Sequence, residues 1–328
     1  MRLEELKHRY ELRKLPVADY EVAAATVTAF DDFARAEGSD ADAASIPTLD
    51  RFLAELVATG QNSEAAVYGL VRYYYVIGRS DLYIRLTQYT GGVGVVAAIL
   101  DRLERVSGRE ARERVEQGLA VPPLGTSPET MPAFTAVFMA ALRRELSGAK
   151  LERVLSGNNH GIPDVAFDRE REAYAAAPTF ADYLRGYHER QVEELRGHAR
   201  SGRPWFEQHI TDEVVDFVAS QPEIQGGILK DGKVYETKIP YDIERWLHAE
   251  TLEEKRYYAC HCPFARESVK AGSTVVDPLW CHCSGGFVKR RYEVLFGREL
   301  RARCLANALA GDALCRFEID LTDVPYKR

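Results

Sequence analysis

Apolar residues recur at helical spacing through the first 150 residues of the chain. In the segment TLDRFLAELVATG, the side chains of Phe52, Leu53 and Leu56 fall on one helical face, and Gly60 follows as a stop. Thr48 is the predicted cap of this helix. The same pattern returns in two later segments, SEAAVYGLVRYYYVIG and GVVAAILDRLERVSG. The spacing therefore predicts an all-α first half.

The pattern changes after residue 226, where short extended runs alternate with turn residues. Asp231-Gly232 separates two such runs in ILKDGKVYETKI and predicts a two-residue hairpin. The segment FVKRRYEVLFG predicts a helix that ends at Gly297, and ELRARCLANALAGDALCRFEIDL predicts a last hairpin that turns at Gly311-Asp312. The predicted fold class is α+β, with an all-α N-terminal half followed by an α+β domain.

A polar break, LSGNNHGIPD, separates the two halves near residues 156–164. Its glycine and proline residues are typical of a connection between domains. At 328 residues the chain is long enough for two domains. We therefore expect a helical domain over residues 1–160 and an α+β domain over residues 161–328.

The charge balance narrows the classes of partner. The formal net charge is −7, whereas nucleic acids and anionic membranes both require a basic surface. The N-terminal segment MRLEELKHRYELRKL lacks the apolar core of a signal peptide, and the apolar run GGVGVVAAIL is too short to cross a bilayer. We expect a cytoplasmic protein with a small-molecule ligand, no direct contact with nucleic acid and no membrane association. The oligomeric state stays open.

The six cysteines all lie after residue 259, and in a reducing compartment they are candidates for metal ligands rather than for disulfides. Four of them form two Cys-His-Cys triplets, in the segments KRYYACHC and STVVDPLWCHC, which we predict to be strands. In a strand, residues i and i+2 point to the same side, so the triplets would offer four thiolates to one ion. The predicted ligands are Cys260, Cys262, Cys281 and Cys283. Zinc is the predicted ion, and an iron–sulfur cluster, which also takes four thiolates, is the alternative.

Two further cysteines lie in the predicted last hairpin. A two-residue turn at Gly311-Asp312 would set Cys315 opposite Ala308 and Cys304 opposite Ile319. Cys315 shares its strand face with apolar residues, and we expect it to act as a fifth ligand or to replace one of the four. Cys304 is expected to serve in packing.

Four polar residues are candidates for a role beyond metal binding. His261 and His282 each lie between two predicted ligands. If the metal is catalytic, one of them could act as a general base or take a ligand position; if the metal is structural, both are solvated on the opposite strand face. Asn159 and His160 lie in the segment GNNHGIP, which is either a plain turn or a site that orients a small polar ligand.

The end of the chain resembles a known family. The elements Gly297-Arg298-Glu299, Gly311-Asp312 and Cys315-x-Phe317 resemble the C-terminal signature of the vinyl-reductase-type small-molecule-binding domains. Those domains are the sensory domains of some aromatic-responsive transcription activators, and the fold also occurs in chlorophyll biosynthesis proteins. The ending is similar to that of aminothiazoline-carboxylate hydrolase-like proteins as well. The longer pattern YACHCPFARES followed by CHCSGGF resembles a family of uncharacterised bacterial proteins.

The resemblance implies a fold and a metal. In the sensor domains cysteines hold a zinc ion, which implies one ligand at Cys315 and another near Cys281. The chain departs from that pattern at Asn307, where the sensors carry a ligand cysteine, and at Cys304, where they carry an acidic ligand. The two triplets are expected to replace the sensor site.

Together these features predict a zinc-stabilised small-molecule-binding protein, either a sensor or a carrier. The first alternative is a zinc-dependent hydrolase of a small C–N or C–S substrate, which would use His261 or His282 at an open metal position. The second is an iron–sulfur protein. Whether the chain is an enzyme stays open, because no paired catalytic motif stands out.

Overall fold

The computed structural model describes residues 1–270 and 272–328. The helices, in chain order, are α1 (Leu3–Leu12), α2 (Val17–Ala36), α3 (Ile46–Ala58), α4 (Glu64–Ile77), α5 (Ser80–Thr90), α6 (Val95–Ser107), α7 (Arg109–Glu116), α8 (Met131–Glu145), α9 (Gly148–Leu155), α10 (Asp168–Ala176), α11 (Phe180–Ser201), α12 (Asp212–Ala219), α13 (Ile243–His248), α14 (Leu252–Ala259) and α15 (His282–Phe296). The strands are β1 (Ile228–Lys230), β2 (Lys233–Thr237), β3 (Arg301–Ala306) and β4 (Arg316–Asp320). The predicted α+β class is confirmed, because the strands described all follow residue 227.

The chain divides into two compact units, and the division of the sequence between them differs from the predicted boundary. The first comprises residues 1–93 and 121–131, and the second comprises residues 94–120 and 132–328. The second unit includes α6 because that helix packs against α9. A compact unit need not fold on its own, so the domain boundary near residue 160 stays a prediction.

The first unit is a helical bundle around a core rich in tyrosine. Tyr73 and Tyr74 are fully buried, and the hydroxyl of Tyr74 donates to the carbonyl of Ala41 at 2.9 Å. Helices α2 and α4 approach closely at Gly69, where a Cβ atom would come within 2.6 Å of Ala23 Cβ. Tyr73 and Tyr74 are therefore core residues, and their hydroxyls form hydrogen bonds there.

One helix in this unit begins earlier than the sequence suggests. Ser45, not Thr48, caps α3, and its hydroxyl accepts the N–H of Thr48 at 3.3 Å. Pro47 explains the difference, because proline is favoured in the first turn of a helix.

The second unit contains an antiparallel sheet with the strand order β1-β2-β4-β3. The predicted hairpin between β1 and β2 is confirmed, and its two turn residues, Asp231 and Gly232, have φ values of 52° and 73°. Helix α15 packs on the sheet, with Gly285 against the ring of Phe317, and ends at Gly297 as predicted. The side chains between helix and sheet form a core of this unit.

The last hairpin is present, but its turn is longer than predicted. Residues 307–315 separate β3 from β4 and include a 3₁₀ helix at Ala308–Ala310, capped by Asn307. Cys304 therefore pairs with Phe317 and not with Ile319, and an irregularity follows at Ala306. The predicted register is wrong because Gly311-Asp312 belongs to a wide loop rather than to a two-residue turn.

Neither Cys-His-Cys triplet lies in a strand. The first follows α14, which begins with a capping box between Thr251 and Glu254. The second spans the end of a 3₁₀ helix, Pro278–Cys281, and the start of α15. Asp277 caps that 3₁₀ helix by accepting the N–H of Leu279 at 2.9 Å. Local helix-start signals thus override the tyrosines before the first triplet and the β-branched residues before the second, which favour a strand.

Across the residues that the structure describes, no helix is both long enough and apolar enough to span a bilayer. This agrees with the short apolar runs of the sequence.

Candidate metal centre

The cysteines come from four segments of the second unit. Cys260 and Cys262 follow α14, Cys281 and Cys283 stand at the start of α15, Cys304 lies in β3, and Cys315 directly precedes β4. All six are free thiols and form no disulfide. A reduced group of thiols is the donor set that soft metal ions prefer.

Helical geometry splits the second triplet. Cys281 has right-handed helical backbone angles (φ −65°, ψ −10°), and Cys283 belongs to α15. Successive residues of a helix are rotated by about 100°, so side chains i and i+2 point to nearly opposite sides. The prediction that Cys281 and Cys283 face the same way, as on a strand, is therefore wrong.

Cys281 lies among four other thiols. Burial raises the pKa of its thiol well above the ordinary value, and the thiols of Cys315, Cys260, Cys304 and Cys262 raise it further, in that order. Burial is also the largest cause of the raised pKa of Cys260 and of Cys304; the Cys315 thiol adds to it in both, and the Cys262 thiol has a larger effect than Cys315 on Cys260. We call Cys281 and the three thiols with the largest effect on it, Cys315, Cys260 and Cys304, the inner set. Because charged thiolates at such close quarters repel one another, their ionisation would favour a bound cation.

The other two cysteines, Cys262 and Cys283, have different neighbours, and we call them the outer pair. Trp280 Nε1 donates to Cys262 Sγ at 3.1 Å, and Asn159 Nδ2 lies 3.5 Å from Cys283 Sγ. Burial raises the pKa of Cys262 to about 11, with the Cys283 thiol as the next largest cause. Cys262 also borders the inner set, since its thiol raises the pKa of Cys260.

N–H groups point at sulfur atoms of the inner set. A backbone N–H two residues further along the chain donates to the thiol of Cys260, and the backbone N–H of Ala308 donates to that of Cys315. Asn307 Nδ2 lies 3.5 Å from Cys304 Sγ. Each donor lowers a thiol pKa, but burial outweighs it, so the pKa of Cys260 and that of Cys304 are raised to about 12. Such donors would stabilise the thiolate form that binds metals.

The inner set is a group of neighbours rather than a finished coordination shell. Over residues 1–270 and 272–328, no three histidine, cysteine or acidic side chains are arranged so that they could hold an ion as they stand. The buried sulfurs are protonated thiols in this arrangement. Metal binding would require their side chains to turn and their protons to leave.

The two histidines of the triplets are directed elsewhere. His261 Nε2 lies 2.7 Å from the carbonyl oxygen of Ile239, and its Nδ1 lies 3.6 Å from Glu207 Oε2. His282 is buried at the start of α15; burial lowers its pKa, and the charge of Glu152 in α9 partly offsets this. The contacts of His261 therefore engage both of its ring nitrogens away from the inner set.

Asn159 and His160 lie in the loop after α9, beside the outer pair. Asn159 is buried, and its Nδ2 donates to the Leu155 carbonyl oxygen. His160 Nε2 lies 3.8 Å from Cys283 Sγ, and the residue as a whole is exposed. Loss of solvent around the ring lowers the pKa of His160 to about 4, and the charge of Lys238 lowers it as well. The predicted polar loop thus adjoins one cysteine of a triplet.

Sequence reasoning gave Cys304 and Lys238 no role in the site. Cys304 was assigned to packing because the predicted register placed it far from Cys315. The wide loop between β3 and β4 changes that distance, and no periodic signal in the sequence marks it. Lys238 follows β2, and in the sequence nothing distinguishes it from other charged residues at the ends of strands.

Comparison with known proteins finds no counterpart for this chain. No family model, no curated protein sequence and no solved structure matches it. The resemblance to the vinyl-reductase-type domains therefore stays a prediction, as do the cytoplasmic location and the lack of a nucleic-acid partner.

Proposed function

We propose that this protein is a zinc-binding protein in which the inner set supplies four thiolates to one ion, and that the ion stabilises a domain that binds a small molecule. The role would be that of a sensor or a carrier. The ligand set differs from the set predicted from sequence, because Cys304 replaces Cys283 and Cys315 replaces Cys262. Zinc accepts four thiolates in tetrahedral geometry and needs no further ligand.

One observation carries the proposal: Cys281 and three other buried or half-buried free thiols, each from a separate segment, lie together. Their side chains belong to the end of α14, the start of α15 and the two strands of the last hairpin. An ion at this point would link these segments. Such a link stabilises the folded state because the unfolded chain has no preformed site.

The N–H groups directed at Cys260, Cys304 and Cys315 also support the proposal. Hydrogen bonds to sulfur stabilise a thiolate and orient it toward a metal. A site that served only for apolar packing would have no use for these donors.

A hydrolytic role has less support. A shell of four sulfurs leaves no open position for a water molecule. His261, one candidate base, holds the Ile239 carbonyl and faces Glu207. An iron–sulfur cluster on the same four thiolates remains the alternative that the first experiment must separate from zinc.

The proposal is tested by the metal content of the purified full chain. We expect one zinc ion per chain and a colourless protein, with four sulfur neighbours by X-ray absorption. A brown protein that contains iron would refute the zinc proposal and support the iron–sulfur alternative. Protein produced with zinc supplied that carries neither metal would refute metal binding.

Two serine variants test the ligand set. Cys304→Ser should abolish stoichiometric zinc binding, whereas Cys283→Ser, at a buried thiol of the outer pair, should retain it. If Cys304→Ser retained zinc and Cys283→Ser lost it, the ligand set predicted from strand geometry would be supported and the inner set would be refuted as the ligand set.

A further inference from the structure

Lys238 lies directly after β2, beside the outer pair. Its backbone N–H donates to the Cys315 carbonyl at 2.9 Å, which fixes the chain at this point. Its ammonium group lies 5.1 Å from the centre of the Phe287 ring. The residue is half-buried.

The groups around this ammonium come from several segments. Its charge lowers the pKa of the Cys283 thiol, where burial is the larger and opposite effect, and it adds to the effect of burial on His160. The same charge lowers the pKa of Cys262 and of His261, after α14, and that of Cys315, before β4. Lys238 therefore stands between the loop after α9, the segment after α14 and helix α15.

The ammonium group has no acidic partner in the part of the chain that the structure describes. No hydrogen bond or ion pair of its Nζ is found among residues 1–270 and 272–328. The acidic group whose charge reaches His160 is Glu207, and its carboxylate lies 3.6 Å from His261 Nδ1. A cation without an ion-pair partner is available to an anion that arrives from solution.

An apolar surface adjoins the cation. Phe287 is 44% exposed, whereas Val288 and Tyr292 of the same helix are buried in the core between helix and sheet. The His160 ring meets it edge to face with centroids 5.6 Å apart. An exposed ring between a cation and an imidazole offers contact to the apolar part of a ligand and a polar group beside it.

We propose that Lys238, Phe287 and His160 form a binding site for a small carboxylate with a short apolar body. Lys238 pairs with the carboxylate, Phe287 contacts the apolar body, and His160 provides a further hydrogen bond. This inference rests on the small-molecule-binding part of the proposed function and names the class of ligand. It does not require the zinc ion.

The test uses hexanoate as the probe and isothermal titration calorimetry of the full chain. Hexanoate should bind at least tenfold more tightly than hexanamide, which has the same body without the charge. It should also bind more tightly than acetate, which has the charge without the body. Lys238→Met should weaken hexanoate binding at least tenfold, and Phe287→Ala should reduce the difference between hexanoate and acetate.

Lys255→Met is the matched control. Lys255 also lies over an aromatic ring, with its Nζ 4.6 Å from the centre of Trp246. Its replacement should leave hexanoate binding unchanged. Equal affinity of the wild type for hexanoate and hexanamide, or equal loss in the two lysine variants, would overturn the inference.

Metal analysis of the same samples separates this inference from the proposed function. Hexanoate binding that is lost in Lys238→Met at unchanged zinc content supports the site. Wild-type protein that contains zinc but binds no hexanoate refutes the site alone. Hexanoate binding by wild-type protein that never contains zinc supports the site and refutes the metal proposal.

Discussion

Cys281 and Cys283 are two residues apart in the sequence, yet their surroundings differ. The neighbours of Cys281 are the thiols of Cys315, Cys260 and Cys304 and, with the smallest effect on its pKa, that of Cys262. Cys283 faces the side chains of the loop after α9, with Asn159 Nδ2 at 3.5 Å and His160 Nε2 at 3.8 Å. The comparison teaches that a Cys-x-Cys pair need not serve one ion. What decides is the backbone, because a helix separates the directions that a strand would keep together.

The inner set and the outer pair also differ in what they could do. N–H groups reach the sulfur atoms of both sets, so the difference lies in the other neighbours, and several thiols beside one another are suited to hold a cation as thiolates. Thiols beside an ammonium group and an imidazole would border the ligand site that we propose. Under these two proposals, the same short motif would contribute one cysteine to the metal centre and the other to the border of the ligand site.

The largest expected effect follows from removing the central thiol of the inner set. Cys281→Ser should lose the zinc ion and lower the free energy of unfolding by roughly 3 kcal/mol or more, because metal binding is coupled to folding. Urea unfolding of the variant and of the wild type measures the difference.

Cys283→Ser is the control for that experiment, since it changes a buried thiol of the outer pair. The substitution should lower the free energy of unfolding by about 1 kcal/mol, the usual scale for one altered buried hydrogen-bonding group. Equal destabilisation by the two substitutions would remove the distinction between inner set and outer pair.

A second prediction concerns pH. Burial raises the pKa of Cys260 and of Cys304 from 9.0 to about 12. Above pH 9 the unfolded chain therefore loses thiol protons that the metal-free folded protein keeps, and unfolding becomes easier as the pH rises toward 12. Unfolding of chelator-treated protein in urea at pH 8, 9 and 10 should give a steadily falling midpoint.

Zinc-loaded protein provides the comparison for the pH series. Its inner thiols are already deprotonated, so its midpoint should fall less over the same range. A metal-free protein whose midpoint does not change between pH 8 and pH 10 would contradict the burial of these thiols.

The smallest effect concerns the amides that reach sulfur. Asn307 Nδ2 approaches Cys304, and Asn159 Nδ2 approaches Cys283, each at 3.5 Å. Asn307→Ala should weaken zinc binding by about tenfold, the lower range for loss of a group that supports a metal ligand. Asn159→Ala should leave zinc affinity unchanged. Competition with a zinc indicator measures both affinities. If zinc affinity fell only in the Asn159 variant, Cys283 and not Cys304 would be the zinc ligand.

Much of the fold could be predicted from local signals. Asp231-Gly232 between extended runs gave the first hairpin, and Gly297 gave the end of α15, because both depend on a few adjacent residues. Thr179 also caps α11 through its hydroxyl, which accepts the N–H of Asp182 at 3.0 Å. Each of these signals depends on no more than four consecutive residues of the sequence.

The candidate site could be predicted only in part. The sequence pointed to the cysteines and to the loop of Asn159 and His160, but it assigned both triplets to strands. The capping residues Thr251 and Asp277 start helical turns ahead of the two triplets, which the strand-forming residues in these segments do not reveal. The approach of Cys304 to Cys315 depends on the long loop of the last hairpin, which no local pattern specifies.

The zinc content of six single Cys→Ser variants, each purified as the full chain beside the wild type, tests the central claim most directly. The account predicts one zinc ion per chain in the wild type, in Cys262→Ser and in Cys283→Ser. It predicts loss of stoichiometric zinc in the variants of Cys260, Cys281, Cys304 and Cys315. Zinc retained in Cys304→Ser and lost in Cys283→Ser would contradict the account.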